Sequence, residues 1–168
     1  MSGLMGCLRK PPTAVGHRYV RLLATDVSWT NYLSSNPYFQ TLWQISFFAS
    51  TDGTGTDLCI GKTASAKSFY AAGYEASKAN DNNINTRFAT AQGAEGLVAQ
   101  WWMIDAGVGN TIDVRSVKLA GFYLAGTGYL YAKSFALQWS DDGTNWTTKA
   151  TFNTTQQPDK TVQTFQNL

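Results

Sequence analysis

The sequence predicts an all-β fold, a sandwich of two antiparallel sheets, and three observations carry that expectation. The run FALQWSDDGTNWTT, Phe135 to Thr148, reads as one β-hairpin: Phe135, Leu137 and Trp139 recur with period two on a core face, while Ala136, Gln138 and Ser140 point the other way. Asp141, Asp142, Gly143, Thr144 and Asn145 supply backbone-bonding side chains and a glycine that tolerates positive φ, and Trp146 opens the return. Second, short apolar runs alternate with clusters of Ser, Thr, Asn and Gly, and no segment sustains a helical period. Third, aromatic residues are as frequent as charged ones, each 14% of the chain, which suits two inner faces filled by large side chains. At 168 residues the chain is long enough for one domain whose core needs no staples.

Taken in order, residues 1–16 hold Pro11-Pro12, several glycines and no periodicity, and read as an extended arm. His17 to Val27 alternates as a strand, with Tyr19, Arg21 and Leu23 on one side and Arg18, Val20 and Leu22 on the other. Thr41 to Thr51 is the next strand, with TDGTG as its exit turn. Further strands are expected at Asp57 to Gly61, Gln100 to Ala106, Arg115 to Tyr123, Ser134 to Ser140, Trp146 to Phe152 and Lys160 to Phe165, with a short helical turn around Ala72 to Ala79.

Three ordered motifs carry a family resemblance. The 135–148 hairpin resembles the signature hairpin of discoidin domains, the galactose-binding-like jelly-roll family that includes coagulation-factor (F5/8) type C domains and family 32 carbohydrate-binding modules. KANDNNINTRFAT, Lys78 to Thr90, resembles that family's A-x-D-G-N-x-x-T-R-W segment, with Asn82 in place of the usual glycine and Phe88 in place of the usual tryptophan. WWMIDAG, Trp101 to Gly107, resembles its W-L-Q-V-D-L-G strand. The resemblance covers roughly residues 63 to 168. HRYVRL at His17 resembles the R-Y-V-R-L strand that normally closes these domains, so a permuted N-terminal strand is expected to take the last strand's place, paired beside the chain's final strands, with residues 17–168 forming one sandwich domain.

Composition narrows the partners. A formal charge of +2, evenly spread, gives no footprint for nucleic acid, and no apolar run is long enough for membrane insertion. Cys7 and Cys59 do not make a disulfide framework; a bridge between them stays open beside the reading of two idle thiols. Leu4-Met5-Gly6-Cys7 looks like a lipobox, but only six mostly small residues precede Cys7, too few for a secretory signal, so synthesis in a cytoplasm without a signal peptide is expected.

No catalytic constellation stands out. His17 is the only histidine, at the start of a strand, where a structural or solvent-exposed role fits better than catalysis. Neither cysteine has an identifiable partner, and no nucleophile elbow or phosphate-cradling glycine loop is present. A glycosidase would need two facing carboxylates, and the two glutamates, Glu75 and Glu95, lie in separate loops. The chain is expected not to be an enzyme.

The strongest site signal is Asn80, Asp81, Asn82, Asn83 and Asn85 with Thr86, a run of oxygen donors of the type calcium takes. The resemblance implies a structural calcium held by Asp81, Asn83 and Thr86. Gln44 stands where the family often adds a glutamate, so the loop reads equally as a calcium site and as metal-free Asx-turns. For sugar binding, aromatic platforms lie in three segments: Trp29, Tyr32 and Tyr38; Phe69, Tyr70 and Tyr74; Tyr123, Tyr129 and Tyr131. Arg87 is the best-placed polar partner. The ligand-binding set is Trp29, Tyr32, Tyr74, Arg87 and Tyr129, with Phe135, Trp139, Trp101 and Trp102 read as core. The expected function is non-catalytic attachment to surface glycans. The expected setting resembles a bacteriophage virion accessory protein, a tail-fibre, baseplate or capsid-decoration component present in many copies, its Arg9-Lys10-Pro11-Pro12 arm docking to other subunits. The alternative is a purely structural virion protein using the same sandwich for protein–protein contacts.

Overall fold

Alternation of apolar and polar residues builds strands throughout, and a computed structural model describes residues 16–29, 39–92 and 98–168. The strands are β1 (Tyr19–Ala24), β2 (Thr41–Phe48), β3 (Thr63–Ala66), β4 (Phe88–Ala89), β5 (Trp101–Asp105), β6 (Ser116–Gly121), β7 (Tyr123–Leu124), β8 (Gly128–Tyr129), β9 (Ser134–Ser140), β10 (Thr147–Asn153) and β11 (Val162–Phe165). They form a five-stranded sheet in the order β10-β9-β1-β5-β3, a four-stranded sheet in the order β11-β6-β2-β4, and a two-stranded ribbon, β7-β8. Every paired strand runs antiparallel, giving an all-β, discoidin-like sandwich.

The core lies between the two larger sheets. Val20, Leu22 and Ala24 of β1 are buried while Tyr19, Arg21 and Leu23 are half-exposed, so period two separates the faces of this strand as read. Ile45 and Phe47 of β2, Trp102 and Ile104 of β5, Val117 and Leu119 of β6, and Phe135 and Leu137 of β9 complete one buried cluster. Phe47 meets Trp102 edge to face at 5.9 Å, and the Trp102 indole N–H donates to the Ala76 carbonyl at 2.8 Å, so this large ring packs without an unpaired polar atom.

The N-terminal strand sits in the middle of its sheet. β1 pairs with β5 from Tyr19↔Asp105 to Leu23↔Trp101 and with β9 from Tyr19↔Ser140 to Ala24↔Phe135. It therefore lies beside the late hairpin, whereas the last strand, β11, pairs with β6 in the opposite sheet. Apart from Gly16, the arm at residues 1–16 lies outside the described residues, as does Cys7.

Several expectations need correction. Asp57 to Gly61 is a turn, because one Asp57 carboxylate oxygen accepts from the Phe47 and Cys59 N–H groups and bends the chain, and Gly61 sits at φ +71°. The strand comes just afterwards, as β3, an edge strand of small and polar residues. The helical turn is a 3-10 turn confined to Ala76–Ala79. Trp101 faces outward and is half-exposed, while Trp102 alone of that pair is core. Trp139 is half-exposed and stacks on His17 at 4.4 Å, with 12° between the ring planes; His17 Nδ1 reaches Asp141 at 3.1 Å, which gives the histidine a structural role.

The signature hairpin forms where expected, but its faces do not separate by period two, since Ala136 and Ser140 are buried while Trp139 is half-exposed, and β10 begins at Thr147. Trp146 lies just before it, under the Arg21 guanidinium at 3.9 Å. Asp142 closes the turn: its Oδ1 accepts from the Thr144 and Asn145 backbone N–H groups, both at 2.8 Å, its Oδ2 accepts from the Asn145 side chain at 2.6 Å, and Gly143 adopts φ +75°. Those bonds, led by the Asn145 backbone N–H, hold the Asp142 carboxyl well below the usual carboxylate range. Because the folded value is depressed, the stabilisation is complete above the unfolded value of about 4 and is lost progressively as pH falls from there toward the much lower folded value. Thermal melts of the wild type and Asp142→Asn should differ most at neutral pH and converge toward pH 2; a constant gap would refute this role.

Candidate functional site

The amide-rich loop after the 3-10 turn is built by local side-chain-to-backbone bonds. Asp81 Oδ1 accepts from the Asn83 N–H at 3.0 Å, Asp81 Oδ2 accepts from the Thr86 hydroxyl at 2.7 Å, and Asn83 Oδ1 accepts from the Asn85 N–H at 3.0 Å. Asn82, where glycine is usual in the resembled family, sits at φ +58°, a left-handed conformation that asparagine enters more readily than most residues. Asn80 anchors the loop from beneath by donating to the Cys59 and Lys62 carbonyls at 2.9 and 3.1 Å, and its buried Oδ1 has no partner among the described residues. Cys59 is fully buried, and burial pushes its thiol well above its ordinary value.

The three residues expected to hold calcium are thus adjacent and oxygen-rich. Asp81 is the loop's single carboxylate, and no group of three or more His, Cys, Asp or Glu side chains suited to a metal occurs among the described residues. Gln44, across the sheet, donates to the Ser46 hydroxyl at 3.1 Å.

At the end of the same loop, Arg87 enters a cage of rings. Its Cζ lies 4.3 Å from the Phe122 ring centroid, 5.1 Å from Trp43 and 5.3 Å from Tyr74. Trp43 is fixed by its indole N–H, which donates to Asp159 at 2.7 Å, and it packs edge to face on Phe122 at 5.5 Å. Arg87, Tyr74 and Tyr70 open onto a cavity of about 190 Å³ that Phe39, Gln92 and Leu124 also line. Tyr70 is 50% exposed and meets Tyr74 edge to face at 5.6 Å, so one face of the cavity is an accessible aromatic wall beside a guanidinium.

Of the expected ligand-binding residues, the fold brings Tyr74 and Arg87 together. Trp29 and Tyr129 lie outside this lining: the Trp29 indole donates to the Thr154 hydroxyl at 3.0 Å, and Tyr129 packs between Tyr123 and Tyr131. Tyr32 and Tyr38 lie outside the described residues, as does Glu95. Glu75 caps a turn by accepting from the Gly73 N–H at 2.8 Å. Tyr131 is no platform, because it is fully buried with its hydroxyl donating to the Thr155 carbonyl at 2.9 Å. Phe39, Phe122 and Gln92 carry no local sequence signal for a site; Phe122 falls within an apolar strand segment.

Comparison with known sequence families matches residues 62–167 to the F5/8 type C domain. Neither the curated proteins nor the solved structures include a match to the chain. The matched span holds β3 to β11 and excludes β1 and β2.

The residue before Phe122, Gly121, makes a close approach to the core. A Cβ on Gly121 would lie 2.3 Å from the buried Tyr131 ring, which has no room to yield. Gly121→Ala should therefore cost about 1–3 kcal/mol in urea unfolding, and a cost within error of zero would show that the ring can move.

Proposed function

Because the chain belongs to the F5/8 type C domain family, whose members are ligand-binding modules with carbohydrates among their ligands, we propose that it binds glycans without cleaving them, through the Arg87 pocket. The observation that carries this reading is the aromatic wall of Tyr70 and Tyr74 set beside a caged guanidinium. A ring face matches the apolar C–H face of a pyranose, and a guanidinium donates to hydroxyl or carboxylate oxygens in a fixed fork. The cage holds the Arg87 guanidinium among three rings, with one Nη donating to the Tyr74 hydroxyl at 3.5 Å, while Arg87 lines the cavity.

The proposed setting is display in many copies on a virion, made in a host cytoplasm, with residues 1–16 as the arm that docks to other subunits. A single small site gains about 10²–10⁴ in avidity when copies act together. A second reading, a structural virion protein, is favoured by one feature: Phe69 and Tyr70 are 53% and 50% exposed beside the pocket and would suit a protein neighbour equally well.

Calcium belongs to the same proposal. The donor chemistry of the 80–86 loop fits a weakly held divalent cation, with oxygen atoms only and the single charge of Asp81. Asp81, Asn83 and Thr86 would hold it, and its role would be to brace the loop that ends in Arg87.

Two experiments test these statements. Millimolar calcium should raise the melting temperature, and Asp81→Ala should remove the increment, since a ligand that binds only the native state stabilises it by mass action; no shift in the wild type would leave the Asx-turns as the whole account. A glycan array probed with a multivalent form should give hits that Arg87→Ala and Tyr74→Ala weaken at least tenfold with the fold intact by circular dichroism. If no glycan is retained, and both loop variants and removal of residues 1–16 stop incorporation into particles, the structural reading replaces this one.

A further inference from the structure

A second concavity, of about 370 Å³, lies on the outer face of the four-stranded sheet and is lined by Gln44, Ser46, Phe48, Asn82, Lys118 and Val162, among others. Three chain segments run past it and the Arg87 pocket in the same order. Along the β2 segment, Phe39 and Thr41 line the pocket, Trp43 stands between, and Gln44, Ser46 and Phe48 line the groove. Along the β6 segment, Phe122 lines the pocket, and Ala120 and Lys118 line the groove. Along the amide loop, Arg87 lines the pocket, Asn85 stands between, and Asn82 lines the groove. The divide is a single ridge, where Lys160 Nζ donates to Asn85 at 2.8 Å and lies 4.5 Å from the Trp43 ring centroid.

The ridge and the two hollows each carry a cation: Arg87, Lys160, then Lys118. None of the three forms an ion pair among the described residues, whereas Arg18, Arg115 and Lys149 elsewhere are paired with Asp105 or Asp113. The nearby carboxylates are turned onto protein N–H donors: Asp159 accepts from the Trp43 indole and the Tyr123 backbone, and Asp57 accepts from the Phe47 and Cys59 backbones. Lys118 lies over the Phe48 ring at 5.0 Å, leaving its ammonium at the groove. Between the cations the groove is lined by the amides of Gln44 and Asn82, the Ser46 hydroxyl, the Phe48 ring, aliphatic side chains and one carboxylate, Asp57, whose Oδ1 accepts from two backbone N–H groups; amide, hydroxyl and ring faces are what a chain of pyranose rings complements.

We infer that the pocket and the groove form one path for an acidic oligosaccharide, a chain of carboxylate-bearing sugar units that places one unit at Arg87 and another at Lys118 and crosses the ridge at Lys160. This rests on the glycan reading of the Arg87 pocket and adds to it the class and length of the ligand. Arg87 meets a carboxylate as a planar fork, the lysines meet theirs as point charges, and the charged contribution weakens with salt.

The test is titration of the whole protein with β-1,4-linked oligoglucuronates of two and four units and with cellotetraose, which has the same linkage without the carboxylates. The tetramer should bind at least tenfold more tightly than the dimer and than cellotetraose, and its affinity should fall between 50 and 300 mM salt. Lys118→Gln and Lys160→Ala should each bring the tetramer close to the affinity of the dimer, with the fold intact by circular dichroism. Equal affinities for dimer and tetramer, an unaffected Lys118→Gln, or cellotetraose binding as well as the charged tetramer would overturn the acidic path. If Arg87→Ala still abolishes binding of array hits in that case, the pocket reading survives; if no glycan on the array depends on Arg87, that reading has failed on its own.

Discussion

Everything in this fold hangs on filling the centre of two sheets with strands drawn from the first third of the chain. β5 and β9 each present a row of backbone N–H and C=O groups toward the slot that β1 occupies, and such groups must be paired when buried. β2 does the same between β6 and β4. The span that matches the F5/8 type C domain contains neither strand, yet Val20, Leu22, Leu42, Ile45 and Phe47 share one cluster with Trp102, Val117 and Leu137. The earlier segment is therefore part of the core that the matched span needs, and not an appendage to it.

The same dependence reaches the site. Arg87 comes from a family-like motif, but the rings around it come from β2 (Trp43), from the exit of β6 (Phe122) and from the turn before the 3-10 element (Tyr74). A cation over desolvated rings is worth up to about 2 kcal/mol per contact, so the cage locks the loop to the sheet. Lysine could not replace it in kind, since only a planar guanidinium stacks on rings and still presents an in-plane fork of donors. Whatever reaches Arg87 thus acts on the four-stranded sheet as well as on the loop.

How much of this was legible depends on whether neighbours in sequence or neighbours in space decide the outcome. The Ser134–Ser140 strand is legible with its bounds, because its apolar run and the Asp142-Gly143 turn are local facts. β3 and β4 are not legible in the sequence: one is four small and polar residues and the other is two residues long, too short for any period to register. Asp57 to Gly61 carries a short apolar run that reads like a strand, and only the carboxylate of Asp57 bending back onto two N–H groups makes it a turn. Within the site, Arg87 and Tyr74 could be named from motif and loop composition. Trp43 and Phe122 could not, because the register of β2 against β6 shifts between Leu42 and Gln44, and a one-residue shift decides which face a side chain joins.

The buried thiol of Cys59 has a use beyond packing. Its carbonyl accepts from Asn80, the residue that anchors the amide loop, and its amide is held by Asp57, so the sulfur sits at the joint between the first connecting turn and that loop. Burial keeps it protonated and shielded, and a thiol reagent meets it only in molecules where that joint has come apart. Labelling of Cys59 therefore requires that joint to open, which ties the reactivity of one core sulfur to how firmly the base of the Arg87 loop is seated.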